Sequence, residues 1–265
     1  GHAGLADALT LLGMGEAAVA ASERALALMQ PLRREERLGI ELRHHVAKGA
    51  WDPAIAVARS LHELFPDDVD HGLELTAVQM SAGRMKEALA TIAVMRRLPP
   101  PLGDDPRLDL AEAEAYSQLG DAALLERAAT RALHNAELLG ATTIALRARL
   151  LLAWRLFLLG EYERCVQQLE QLRGVAVTLG EPALMIELLH TLMSANAQLD
   201  ELGAAVALGE EAVREATRLG NHELTADLQG NLAALLFRLG RLEDAGRAQA
   251  RTTLASPSNQ INGQV

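Results

Sequence analysis

Metal ligation, nucleophilic catalysis and phosphate binding each need particular side chains at particular spacings, and this sequence supplies few of them. A zinc-binding helix places two histidines four residues apart, as in His-Glu-x-x-His, and no such motif occurs. His44 and His45 are adjacent and diverge by about 100° on a helix, while His62, His71, His134, His190 and His222 stand singly. Asp67, Asp68 and Asp70 lack the alternating oxygens and late glutamate of a calcium loop. They read as a helix start, where carboxylates offset exposed amides. There is no Gly-x-Ser-x-Gly elbow, no phosphate-cradling glycine loop, and no histidine beside the single cysteine, Cys165, to make it a nucleophile. No catalytic residue, metal site or cofactor is expected, since an enzyme would need an acid–base pair assembled from distant segments.

Composition points the same way. Of 265 residues 49% are hydrophobic but only 3% aromatic, which suits many thin helices rather than one thick core. Alanine and leucine dominate and β-branched residues are few, so helix propensity is high throughout and nothing reads as a strand. A net charge of −10 argues against direct nucleic-acid binding, which needs clustered cations. All basic residues but Lys48 and Lys86 are arginine, a bias that suits high-GC bacterial coding. One cysteine excludes an internal disulfide framework. The most apolar stretch, Leu146 to Leu159, contains three arginines and is too short to span a bilayer, so no membrane contact is expected. Gly1-His2 has the look of a cloning remnant ahead of a fragment. A cytoplasmic location is expected, with the periplasmic side of a membrane-anchored regulator as the alternative.

The elements that would position any site are marked by glycine. Leu-Gly pairs fall at 119–120, 139–140, 159–160, 179–180, 219–220 and 239–240, and Leu199-Asp200 fills the gap, giving a spacing of 20 residues. Each unit predicts one helix of roughly 16 to 18 residues stopped by a residue that accepts positive φ. Asp121, Glu161, Glu181-Pro182, Glu201 and Asn221 follow the stops and favour a new start. Two units make a 40-residue hairpin. Earlier, Gly13, Gly49, Gly83 and Gly120 lie 36, 34 and 37 residues apart, so the helices there are about a turn shorter. Pro31, Phe65-Pro66-Asp67-Asp68 and Pro99-Pro100-Pro101 mark their other ends. Shorter repeats are expected over 3–101 and 40-residue repeats over 102–256, with a bend between them and a disordered tail at 257–265.

The repeats resemble the tetratricopeptide family. Asn231-Leu232-Ala233, Phe237, Gly240, Leu242, Ala245 and Pro257 follow its order of large, small, turn glycine, small and terminal proline. Gly49, Trp51, Ala54 and Pro66 repeat it, as do Gly83, Met85, Ala88 and Pro100. Ala18, Ala54, Ala88, Ala205 and Ala245 hold the small position, as does Cys165, whereas Leu125 departs from it. The resemblance implies an all-α, right-handed solenoid of about seven helix-turn-helix hairpins, about 14 helices, each burying a face by stacking on its neighbour. Forty-residue repeats also resemble the helical sensor regions of bacterial winged-helix transcription regulators and serine/threonine kinases. The run from Pro106 to Ala113 and the Phe65-Pro66-Asp67-Asp68 turn carry that likeness.

In the family the first helix of each hairpin lines the concave face. This implies an inward set of Glu36, Arg43, Asp70, Arg107, Glu114, Gln118, Arg147, Trp154, Phe157, Glu187, His190, Asp227 and Arg238. Trp154 and Phe157 share a helical face and serve either as core filling or as the apolar floor of a site. Arg147, one heptad earlier, either holds a partner's carboxylate or bridges to a neighbouring repeat. Asn231 occupies a place where some peptide-binding members hold a ligand's main chain. The resemblance therefore implies a non-catalytic module for a protein or peptide segment. That module would be the sensory or scaffolding part of a bacterial signalling or transcription-regulatory protein. The alternative is a small-molecule sensor whose bend near Pro99 to Pro106 encloses a pocket and whose ligand changes the solenoid's curvature.

Overall fold

The computed structural model describes residues 2–11, 14–28 and 32–255. Among them are fourteen α-helices, one short 3-10 turn and no strand. The helices are α1 (His2–Leu11), α2 (Gly15–Ala27), α3 (Arg34–Ala47), α4 (Trp51–Leu64), α5 (Val69–Ser81), α6 (Met85–Met95) and α7 (Pro106–Leu119). They continue as α8 (Ala122–Leu138), α9 (Thr142–Leu158), α10 (Tyr162–Leu179), α11 (Pro182–Gln198), α12 (Leu202–Leu219), α13 (His222–Arg238) and α14 (Leu242–Ala255). They form seven successive hairpins. Gly13, Pro31, Pro257 and the 257–265 tail lie outside the described residues.

The glycine ruler works by backbone geometry. Gly120, Gly140, Gly160, Gly180, Gly220 and Gly240 all sit in the left-handed region, with φ between 65° and 78°. There a side chain meets the following carbonyl. At the gap in the ruler Asp200 takes the same conformation, with φ 60°, as a short polar side chain can. Starts are less uniform. Asp121 and Asn221 accept hydrogen bonds from the amides of Leu124 and Leu224, and Pro182 opens α11. Glu161 and Glu201 make no side-chain cap, so their contribution is charge near the helix dipole. Asp68 caps α5 through Asp70 N, at 2.8 Å, and His71 N, at 3.3 Å.

Helices α8 to α13 run 17 or 18 residues, whereas α1 to α6 run 10 to 14. The change of length follows the segment from Pro99 to Asp105, where a 3-10 turn (Leu102–Asp104) separates α6 from α7. The division into compact units lies elsewhere. One unit takes in α1 and Gly15–Arg155, the other runs from Leu156 through α14, and the boundary falls inside α9.

Small residues set the spacing inside each unit. Ala18, Ala54, Ala88 and Ala205 are fully buried, as is Cys165, and Ala245 nearly so. Leu125, in a small-residue position, is also fully buried because its surroundings shrink to match: Ala113, Ala128, Ala129 and Ala148 pack about it with Leu110 and Leu151. Burying such a leucine is worth about 1.5–3 kcal/mol, more than the alanine it replaces could contribute.

Candidate functional site

In the first unit the polar residues of successive first helices are spent on one another. Asp70 on α5 accepts from Arg107 Nη1 on α7 at 2.6 Å, and Arg107 also holds Asp105 at 2.7 Å. The carboxylates of Asp105 and Asp70 raise the Arg107 pKa; burial would push Asp105 up, but Arg107 outweighs it and holds Asp105 below the usual carboxylate range. Glu114 on α7 accepts from Arg147 Nη2 on α9 at 2.7 Å. Burial pushes the Glu114 carboxyl up, and Arg147 opposes the shift. Of the two roles open to Arg147, the bridge to a neighbouring repeat is the one formed, and at this exposure it is worth no more than about 1 kcal/mol. Glu36 is occupied in capping, accepting from Arg33 N at 2.9 Å. Gln118 is exposed near the end of α7. Arg43 is half-buried on α3, its guanidinium lying across Gly39, where a Cβ would come within 2.9 Å of Nη1.

The second unit is different. Asn231 Nδ2 on α13 donates to His190 Nε2 on α11 at 3.3 Å, which leaves the His190 proton on Nδ1. Burial lowers the His190 pKa and Asp227 opposes it, so the ring is neutral at pH 7. Glu187 lies three residues before His190 and Asp227 four before Asn231, each within reach of the same helix face. Both carboxylates are exposed. Arg238 Nη2 donates to the Ala197 carbonyl at 3.2 Å and to Asp200 Oδ1 at 3.4 Å. Phe157 is half-buried and meets Tyr162 edge-on, with ring centroids 5.3 Å apart. Trp154, in the first unit, packs half-buried against the cluster around Leu110 and Leu151.

One feature escaped the sequence. Asp109 on α7 is only 2% exposed yet ionic: Arg96 bridges it and Glu112, Arg131 donates to Asp109 at 3.0 Å and to Glu112 at 2.6 Å, and Asn135 donates to Asp109 at 2.9 Å. Its signal was the helical register, which puts Asp109 on the face of buried Ala113. Beside this network, at the α6–α7 join, lies a cleft of about 550 Å³ lined by Pro100, Pro101, Leu102, Leu138, Leu139 and Ile144 among others. It is open to solvent and lies at the bend where the small-molecule alternative places an enclosed pocket. Cys165, pushed up to about 11 by burial, is chemically quiet. Among the described residues no group of three or more His, Cys, Asp or Glu is placed to hold a metal. Nor is any helix there long and apolar enough to cross a membrane.

The arrangement of hairpins matches solved structures closely in shape but not in sequence. A Rap protein complexed with Competence and Sporulation Factor superposes with a TM-score of 0.68 at 12% identity, over 96% of this chain and 75% of that one. NprR in complex with its cognate peptide NprX gives 0.64 at 14% identity, over 96% and 78%. A tetratricopeptide repeat protein from Parabacteroides merdae gives 0.61 at 13% identity, over 98% and 94%. The fold is that of the tetratricopeptide-repeat proteins. No family profile and no curated protein sequence matches the chain. Tetratricopeptide hairpins account for both the buried alanines and the left-handed stops described above.

Proposed function

We propose that this chain is a non-catalytic tetratricopeptide module that binds a protein or peptide segment through residues of its first helices. It would serve as the sensory or scaffolding part of a bacterial signalling or transcription-regulatory protein. The observation that carries this reading is the His190–Asn231 pair beside the exposed carboxylates of Glu187 and Asp227. A side-chain amide and a neutral imidazole suit a peptide main chain, and the carboxylates suit a basic side chain. Further proposed contacts are Arg43, Arg107, Glu114, Arg147 and Trp154 on first helices of the first unit, and Phe157 and Arg238 in the second unit. Similarity to structures of Rap and NprR holding a factor and a peptide supports the class of partner. The net charge of −10 favours a basic segment over nucleic acid.

A peptide array probed with the whole chain tests this. Asn231→Ala combined with Asp227→Lys should weaken binding of the selected peptides by about tenfold or more, with unchanged far-UV circular dichroism. Unchanged binding would remove this face from consideration.

A further inference from the structure

We infer that the cleft at the α6–α7 join is a second docking site, for a short peptide segment that presents an aliphatic side chain next to a lysine or arginine. It goes beyond the first-helix face and belongs wholly to the first unit. Single leucines scattered over a surface need no explanation. Here, however, Leu138 and Leu139, the two most exposed large apolar side chains among the described residues at 72% and 69%, are adjacent and line one cleft with Leu102, Pro100 and Pro101. Its volume of about 550 Å³ falls in the range of ligand clefts.

The polar part of the lining favours a cationic partner. Asp104 and Asp105 are its only charged members, with no lysine, arginine or histidine. Asp105 is held by Arg107, whereas Asp104 is exposed and no ion pair engages it among the described residues. Pro100 and Pro101, on the wall, have no backbone N–H, so that stretch offers a partner no main-chain donor. The cleft is also stiff. A Cβ on Gly103 would come within 2.5 Å of the Leu98 carbonyl oxygen, and Asn135, on the cleft wall, is tied to the buried Asp109. A preformed apolar cleft with an acidic edge limits the ordering cost of binding a short segment.

Titration of the whole chain with a fluorescent hexapeptide alternating leucine and lysine tests the assignment, against a leucine–glutamate peptide, a serine–lysine peptide and hexylamine. Only the leucine–lysine peptide should bind. Leu138→Ser with Leu139→Ser should weaken it about tenfold or more. Asp104→Lys should weaken it several-fold, an effect that fades at high salt, while Asn231→Ala leaves it unchanged. Both variants alter exposed positions, and circular dichroism confirms their folding. The proposal is overturned by no binding up to about 1 mM or by equal affinity for the glutamate peptide. Competition by hexylamine at equal concentration, or indifference to the leucine substitutions, also overturns it.

Discussion

The joins between α6 and α7 and between α10 and α11 do the same job in different ways. In the second unit, Gly180, Glu181 and Pro182 turn the chain within the 20-residue period, and the neighbouring second helices are linked by one half-exposed pair, Arg173 to Glu211, at 2.5 Å. In the first unit the period breaks, the chain needs the whole segment from Pro99 to Asp105, and two arginines converge on a carboxylate that is almost fully buried. A join kept in period needs only a turn residue, because the stacking geometry repeats. A join out of period has to fix its own geometry, and buried charge supplies the direction that apolar packing lacks.

That contrast can be broken first at the buried carboxylate. Asp109→Ala leaves Arg96, Arg131 and Asn135 without their shared acceptor and should lower the unfolding free energy by about 3 kcal/mol in urea. Arg173→Ala should cost no more than about 1 kcal/mol. Equal losses would mean that the two joins are held alike. Next in size, Gly103→Ala forces a methyl against backbone carbonyls and should cost about 1–3 kcal/mol, read from the same urea curves. In the second unit, Asp200→Gly relieves the one left-handed non-glycine among the described residues and should raise stability by up to about 1 kcal/mol. A calorimetric melting temperature that falls would show that the Arg238 contact matters more than the backbone.

The smallest effect concerns pH. Because the folded His190 pKa lies below its unfolded value, the unfolded chain binds the extra proton more readily. Its contribution is therefore complete above about pH 6.5 and declines as pH falls toward the lowered folded value. His44 and His62 shift in the same direction. The readout is therefore the difference between the chain and His190→Gln, whose stability should fall less steeply over that interval.

The fold was legible because its signals are local. A left-handed stop every 20 residues and a small residue in every second helix but α8 need no knowledge of distant partners, and even Asp200 could be placed by its position in the ruler. The site was less legible. Helical phase put Asp70, Arg107, Glu114 and Arg147 among the first-helix residues, but phase does not say whether a charge meets a partner or its own neighbour. In the first unit these four pair among themselves. Trp154 and Phe157 share a phase, but phase alone does not say whether such a pair fills a core or floors a site. The buried Asp109 and the cleft beside it depend on how three helices converge at a break in the period, which no single helix records.

Cys165 adds a practical consequence. As the chain's single cysteine, fully buried and with its proton held up to about 11, it can meet a thiol reagent only when its surroundings open. Its labelling rate is thus a built-in clock for the breathing of the second unit, readable without introducing a probe. A segment clamped across α11 and α13 would slow that clock wherever binding and opening are coupled.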